Sequence, residues 1–235
     1  MIKATCLKKH YVNVFSNIVF AMWLLNVTSQ ISFFRTFKGT VLPDIVLDNV
    51  PIEWNKYSYL PDISVIVCLC LMIYLIFVHL PKQKVVHAYY IPEKYQVHLT
   101  TYQIFCHIVS VYILLIYLRS LLLLLTSVPD PSPKCQQIIG KQPLSFFKID
   151  YMYVLKQSIS GFPEITCGDM IFSGHTLIYM ITGMSYHTYF KQVPFYNLTK
   201  IFVFIFCGIS SFSLIVTHMH YTIDVILACL FSIFI

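Results

Sequence analysis

The chain has 235 residues, of which 57% are hydrophobic and 11% are charged, and its formal net charge is +6. This composition is far more apolar than that of a soluble domain and is typical of a polytopic membrane protein. The basic residues are spread over several loops without a dense cluster. That distribution argues against nucleic acid as a partner and fits loops that lie near anionic headgroups.

Six segments are long and apolar enough to cross about 30 Å of hydrocarbon. They lie at 11–34, 62–80, 101–125, 171–190, 201–217 and 219–235. The sequence therefore predicts an all-α polytopic membrane protein with six transmembrane helices, a cytosolic N-terminal segment over 1–10 and one membrane domain over 11–235. The last two spans are nearly continuous, so we expect a tight polar turn between them, around Thr217 to His220. The sixth span stops early, which is compatible with a C-terminally truncated form.

The distribution of lysine and arginine predicts how the helices are oriented. Basic residues are denser in the segments 1–10, 81–100 and 191–200 than in the loops 35–61 and 126–170. Loops rich in lysine and arginine stay in the cytosol. The N-terminus is then cytosolic, and the fourth and sixth spans both begin on the lumenal or external side.

The loop after the first span carries several acidic and aromatic residues on that lumenal side. They are Asp44, Asp48, Glu53, Trp54, Tyr57, Tyr59 and Asp62. Carboxylates and aromatic faces both attract a quaternary ammonium, so this loop could contact choline. The alternative is an interfacial aromatic belt with acids that cap helices.

Two of the eight cysteines fall in the external loop 126–170, while the other six lie in or near the spans. A disulfide between Cys135 and Cys167 is chemically allowed in an oxidising lumen. Two free thiols are the alternative that the sequence leaves open.

Two short motifs place ionisable residues at the mouths of membrane helices. CGDMIFSGHT at 167–176 opens the fourth span, and HYTID at 220–224 opens the sixth. Ionisable groups at such positions are costly unless paired and mark a functional site by default. His220 and Asp224 are four residues apart and therefore share one helix face, where the Asp can hold one ring nitrogen. Together with His175, and without a serine or cysteine nucleophile, they indicate phosphoryl transfer through a phosphohistidine.

Four further residues are candidates for substrate binding. Asp169 could orient a histidine or simply cap the fourth helix. Arg119 could reach a substrate phosphate or extend its charged end to the interface. Backbone N–H groups around Gly174 could hold phosphate oxygens, and Tyr221 adjoins His220. We expect neither a metal nor a cofactor.

These motifs resemble the two catalytic motifs of the sphingomyelin synthase family. VLPDIVLD at 41–48 and LRSLLLLLTSVPDP at 118–131 are similar to two further motifs of that family. The resemblance implies that His175, His220 and Asp224 form the catalytic triad. The chain has Met219 where the family carries a glutamate between two histidines, and that difference concerns headgroup preference.

The same resemblance implies an activity and a location. Phosphocholine would pass from phosphatidylcholine to ceramide and leave diacylglycerol. Transfer of phosphoethanolamine or inositol phosphate, or a phospholipase C-like hydrolysis, are the alternatives. The active site would face the lumen or exterior, in the Golgi or plasma membrane, and the chain could form a homo-oligomer.

The chain also resembles the wider class of lipid phosphate phosphatases, but it departs from them at the basic residues. Those enzymes carry a Lys-x6-Arg-Pro motif and a second arginine. Here neither Arg35 nor Arg119 precedes a proline, and Leu214 occupies the position of the second arginine. A phosphomonoester dianion needs such cations, whereas a phosphodiester carries one charge and needs fewer. The pattern therefore favours a phospholipid donor.

Overall fold

The computed structural model describes residues 2–35, 41–79, 101–126, 128–139, 152, 167 and 170–234. Every regular element in these ranges is helical, which confirms the predicted all-α class. Seven α-helices are α1 Ile2–Arg35, α2 Tyr59–Tyr74, α3 Thr101–Leu125, α4 Pro133–Ile139, α5 Gly174–Tyr189, α6 Tyr196–Val216 and α7 Thr222–Phe234. Two 3₁₀ turns, Leu47–Asn49 and Ile52–Tyr57, precede α2, and a π-helical turn, Leu75–His79, extends it.

Four stretches of the described chain are long and apolar enough to span a membrane. They are Asn13–Phe33, Ile52–His79, Thr101–Leu125 and Tyr196–Val216. The helices α5 and α7 have 16 and 13 residues, which at 1.5 Å per residue gives about 24 and 20 Å. The count of six spans therefore stays a prediction, while the polytopic character is confirmed.

The helix α5 lies at the centre of the bundle and packs against α2, α3, α6 and α7. Its buried side chains include Leu177 and Tyr179, which belong to two different apolar clusters. Leu177 packs in a cluster with residues of α3 and α7, and Tyr179 in one with residues of α2, α6 and α7. The helix α1 packs along α3. Large apolar side chains such as Ile66 and Phe202 stay exposed on the outer surface, as expected where lipid is the solvent.

The turn between α6 and α7 has the tight geometry that the sequence predicts. The carbonyl of Leu214 accepts the N–H groups of Met219 at 3.0 Å and His220 at 3.2 Å. His218 takes the left-handed conformation, with φ 56°, which reverses the chain within a few residues. These hydrogen bonds hold His220 just before the first turn of α7.

The start of α5 is fixed by the serine of the SGH sequence. The Ser173 hydroxyl accepts a hydrogen bond from the Thr176 N–H at 3.3 Å, and serine is a favoured residue at this capping position. The side chain of Ser173 is fully buried. Its role here is to cap the helix that presents His175.

Candidate active site

The two motif histidines face each other across the ends of α5 and α7. The ring centroids of His175 and His220 lie 6.3 Å apart. A backbone hydrogen bond from the Ser173 N–H to the Asp224 carbonyl, at 3.2 Å, joins the two motifs directly. Residues about 45 positions apart thus form one site because two helix starts pack side by side.

Asp224 lies behind His220, as the i, i+4 spacing predicts. Its Oδ2 is 3.6 Å from His220 Nδ1, and the same oxygen accepts the Tyr221 N–H at 3.2 Å. His220 and Asp224 are 5% and 2% exposed. The separation of the ring and the carboxylate is within ion-pair range but longer than a hydrogen bond, and catalytic contacts of this kind shorten in substrate complexes. With Nδ1 facing the carboxylate, Nε2 is the ring nitrogen left to act on a substrate.

His175 has an acidic partner that sequence reasoning missed. The Nε2 of His175 donates to Asp62 Oδ1 at 2.8 Å, and the two side chains are 27% and 62% exposed. Asp62 lies in the first turn of α2, 113 residues away. The sequence feature that could have indicated this pairing is that Asp62 is a lone carboxylate at the start of an otherwise apolar helix. The site therefore contains two His–Asp pairs, one buried and one open to the surroundings.

A cavity of about 520 Å³ opens beside these pairs. His175, His220, Gly174 and Arg119 are among its lining residues. The other lining residues come from α1 to α5, from the segments before α2, α4 and α5, and from the turn before α7. Pockets of this size hold small ligands or lipid headgroups. Arg119 is only 6% exposed.

Gly174 leaves the space in which the Arg119 guanidinium lies. A Cβ added at Gly174 would lie 1.9 Å from Arg119 Nη1 and 3.1 Å from its Cζ. The guanidinium thus lies directly against the first residue of α5, next to His175. This places a fixed positive charge and a helix N-terminus at the same end of the cavity.

Asp44, in the loop before α2, caps α7. Its carboxylate accepts the Thr222 N–H at 2.6 Å and the Thr222 hydroxyl at 2.7 Å. Burial raises the pKa of Asp44, but the hydrogen bonds from Thr222, Leu47 and Val46 outweigh it and hold that pKa below its ordinary value. This arrangement agrees with the capping interpretation of the loop acids.

The aromatic residues of the same loop lie away from the cavity. Trp54, Tyr57 and Tyr59 are 48%, 39% and 52% exposed and do not line it. Their exposure agrees with the interfacial belt rather than with a choline contact inside this pocket. Asn55 does line the cavity, and its side-chain amide donates to the Thr217 carbonyl at 2.8 Å.

Tyr221 braces the site and does not line the cavity. Its hydroxyl donates to the Pro129 carbonyl at 2.8 Å and accepts the Leu42 N–H at 3.2 Å, and the side chain is 2% exposed. These two hydrogen bonds give the Tyr221 hydroxyl a structural role, and the substrate contact at Tyr221 stays a prediction. Asp169, the remaining predicted site residue, lies outside the described residues.

A disulfide joins Cys135 and Cys167, whose Cα atoms are 5.5 Å apart. It links α4 to the segment that leads into α5, and both cysteines line the cavity. The two cysteines are therefore bonded to each other and are not free thiols in this structure. A disulfide agrees with a loop in an oxidising compartment.

Residues 166–235 match the PAP2 superfamily C-terminal family. This stretch contains α5, α6 and α7 and both histidine motifs, so the similarity to that superfamily lies in the part of the chain that forms the candidate site. The predicted resemblance to sphingolipid synthases is confirmed by curated relatives that carry the names of ceramide phosphotransferases.

Three of these relatives show the range of headgroups. A phosphatidylethanolamine:ceramide ethanolaminephosphotransferase of Trypanosoma brucei brucei is 30% identical over 125 residues, which cover 51% of this chain and 35% of the relative. A putative phosphatidylcholine:ceramide cholinephosphotransferase 3 of Caenorhabditis elegans is 25% identical over 191 residues, covering 80% and 50%. A phosphatidylinositol:ceramide inositolphosphotransferase of Oryza sativa is 28% identical over 115 residues, covering 48% and 33%. The chain thus spans about a third to a half of the length of these relatives.

Proposed function

We propose that the chain transfers the headgroup-phosphate of a glycerophospholipid to the primary hydroxyl of ceramide. The observation that carries this proposal is the pair of His–Asp dyads, His175–Asp62 and His220–Asp224, at one end of a cavity that also contains Arg119. The names of the curated relatives support ceramide as the acceptor. The resemblance to sphingomyelin synthases favours phosphocholine as the transferred group, with phosphoethanolamine and inositol phosphate as alternatives.

The first half-reaction forms a bond between phosphorus and His220 Nε2. The phosphorus–oxygen bond to diacylglycerol breaks, and protonated His175 gives its proton to the departing oxygen. Asp224 stabilises the positive charge that develops on His220. Arg119 and the N–H groups at the start of α5 stabilise the phosphate oxygens.

The second half-reaction reverses these roles. Neutral His175 takes the proton of the ceramide primary hydroxyl, the hydroxyl oxygen attacks the phosphohistidine, and the phosphorus–nitrogen bond breaks. His175 is then protonated and His220 is free, so the enzyme returns to its starting state. Positioned proton transfer of this kind contributes about 10²–10⁴-fold in rate.

A trapping experiment tests this mechanism. The protein is reconstituted in vesicles with headgroup-labelled phospholipid, first without ceramide and then with it. We expect an acid-labile, base-stable label on His220 without acceptor, and conversion of that label into a ceramide-linked product when ceramide is added. Absence of the label in wild type, or its persistence in a His220→Ala variant, would contradict the phosphohistidine.

Hydrolysis is the second candidate, because the side chain of Asp62 is 62% exposed and the site is therefore open on that side. Ceramide competes only if its hydroxyl is positioned at a high effective molarity. Product analysis at saturating ceramide separates the two functions. Mostly ceramide-linked product supports the synthase, and mostly free phosphorylated headgroup indicates a phospholipase C.

The orientation of the site follows from the same proposal and from the distribution of basic residues. The N-terminus would be cytosolic and the histidines would face the lumen or exterior. An N-terminal tag should then be accessible from the cytosol, whereas Lys134 should be labelled only from the opposite side. Labelling of both positions from one side would contradict this orientation.

A further inference from the structure

We propose that the hydroxyl of Tyr112 binds the lipid by donating a hydrogen bond to the acyl carbonyl nearest to the reacting oxygen. In ceramide this carbonyl belongs to the amide, and in a glycerophospholipid it belongs to the ester on the middle glycerol carbon. The inference rests on the proposed function and names a further substrate-binding residue of the same site. Tyr112 lies in α3 and lines the cavity that contains both histidines. It takes no part in the steps described above.

The helices that line the cavity carry apolar residues one turn deeper than the site. The helix α3 ends near the histidines and carries Arg119 there, while Ile116, one turn earlier, also lines the cavity. The helix α5 begins near the histidines with Gly174, and Ile178, one turn later, lines the cavity as well. Each isoleucine therefore lies about 5 Å deeper in the bundle than the site residue on its own helix. The apolar lining residues of α1 and α2 are Leu25 and Val65.

Tyr112 brings a hydroxyl group to this apolar part of the cavity. It precedes Arg119 by seven residues, so the two side chains share one face of α3 and differ in depth by about 10 Å. Tyr112 packs against an apolar cluster that contains Ile116 and Ala21 of α1. Within the described part of the chain its hydroxyl has no hydrogen-bond partner. A tyrosine hydroxyl in apolar surroundings ordinarily has such a partner, so this one indicates a ligand that supplies an acceptor.

The depth of Tyr112 matches the spacing of polar groups in the substrates. In the proposed transfer the phosphate lies beside Arg119 and the start of α5. The covalent chain from phosphorus to the nearest acyl carbonyl oxygen spans about 7 Å when it is extended. A hydrogen bond adds about 3 Å, which gives a reach similar to the depth that separates Arg119 from Tyr112. The carbonyl would therefore lie near the tyrosine while the phosphate lies at the histidines.

The same contact can serve both half-reactions, because the two lipids occupy the site in turn. In diacylglycerol and in ceramide the acyl group is attached to the carbon next to the one that bears the reacting oxygen. An amide carbonyl is a stronger acceptor than an ester carbonyl, so the contact favours ceramide over the departing diacylglycerol. Water offers no carbonyl, and the contact therefore raises the effective molarity of the ceramide hydroxyl relative to water.

The experiment combines Tyr112→Phe, which removes only the hydroxyl, with lipids that lack the carbonyl. On the donor side, diacyl phosphatidylcholine is compared with its dialkyl ether analogue, with ceramide as the acceptor. On the acceptor side, ceramide is compared with a dialkylglycerol, with the diacyl donor. Phosphatidylethanolamine and its ether analogue replace the choline lipids if wild type uses them faster. Mass analysis of ceramide-linked, glycerol-linked and water-soluble products records each rate.

For wild type we expect kcat/KM to be about three- to tenfold higher for the carbonyl-bearing lipid of at least one pair, as one net hydrogen bond predicts. Tyr112→Phe should remove that preference, mainly through a higher KM, and leave the rates with the ether lipids within about twofold. A preference lost in the donor pair identifies the ester as the bound group. A preference lost in the acceptor pair identifies the amide.

Tyr117→Phe is the matched control, since it makes the same substitution in the same helix. Tyr117 does not line the cavity, and its ring lies 6.3 Å from the ring of Phe20 on α1. This variant should leave the rates with all four lipids within about twofold of wild type.

Two results would overturn the inference. They are a wild-type protein that distinguishes the lipids of neither pair, and a Tyr112→Phe variant that slows the acyl and ether lipids equally. If wild type releases only water-soluble headgroup phosphate, the ceramide transferase is refuted, while the donor pair still tests Tyr112. Folded wild-type protein that consumes no donor at all would refute both proposals.

Discussion

Replacement of Asp62 by asparagine tests whether the second His–Asp pair is part of the chemistry. Asp62 Oδ1 lies 2.8 Å from His175 Nε2, and asparagine keeps the size of the side chain while removing the charge. If His175 must be protonated to release diacylglycerol, the carboxylate stabilises that imidazolium. The variant should therefore slow the reaction without unfolding the protein.

The magnitude follows from the exposure of the pair. With side chains 27% and 62% exposed, the pair resembles a surface ion pair, which contributes about 0.2–1 kcal/mol to folding. A bound lipid removes water from the pair and raises its interaction towards the ~4 kcal/mol expected at an effective dielectric constant near 20. We therefore expect about a 10- to 100-fold loss in kcat, equivalent to about 1.4–2.7 kcal/mol.

The assay is the rate of headgroup transfer as a function of pH, with thermal unfolding measured in parallel. Loss of the carboxylate should move the alkaline limb of the kcat profile to lower pH, because the protonated form of His175 is no longer stabilised. Glu53→Gln serves as the control for removal of an exposed charge, since this carboxylate does not line the cavity. Activity within twofold of wild type together with an unmoved alkaline limb would refute the role of Asp62.

Three other substitutions have defined outcomes. His220→Ala should abolish transfer while membrane insertion stays normal, and residual activity within a few-fold of wild type would remove it from the catalytic set. Asp44→Ala should lower stability by about 1 kcal/mol through loss of the Thr222 cap. The folded-state pKa of Asp44 is below its ordinary 3.8, so the stability difference between wild type and Asp44→Ala should be complete above pH 4 and shrink as the pH falls through the lowered pKa. Unfolding at pH 7, 4 and 3 measures this difference. A stability difference that grows in acid would contradict the cap. Cys135→Ser removes the disulfide, which closes a loop with a sequence separation of 32, and should lower the free energy of unfolding by about 3–4 kcal/mol. Unfolding measures this loss, and alkylation of Cys167 confirms the free thiol. Equal stability of the variant and wild type would contradict this expectation.

The sequence predicts the parts of the site that depend on short-range spacing. His220 and Asp224 are found four residues apart on one helix start, and the turn before them forms where two apolar runs meet. The approach of His175 to His220 follows from the predicted topology, since both helices begin on one side of the membrane. The resemblance to a known family adds the roles of these residues.

The parts that depend on long-range packing could not be predicted in the same way. Asp62 and Asp44 both belong to the acidic loop, for which composition left open a choline contact or the capping of helices. The structure separates them, because one pairs with His175 and the other caps α7. Tyr221 likewise adjoins His220 in sequence, yet its hydroxyl donates to the Pro129 carbonyl. Side-chain direction at the end of a helix depends on neighbours that no local pattern specifies.

The position of Leu214 bears on the proposal that the donor is a phosphodiester. Its side chain is fully buried in an apolar cluster with Cys68 and Tyr179, and its carbonyl holds the turn before His220. An arginine at this position would have its charge among apolar side chains, at a cost of several kcal/mol unless it were paired. Arg119 and Lys134 are the arginine and lysine side chains that line the described cavity. Arg119 is the one placed against the helix start that carries His175, which suits the single charge of a phosphodiester better than a phosphomonoester dianion.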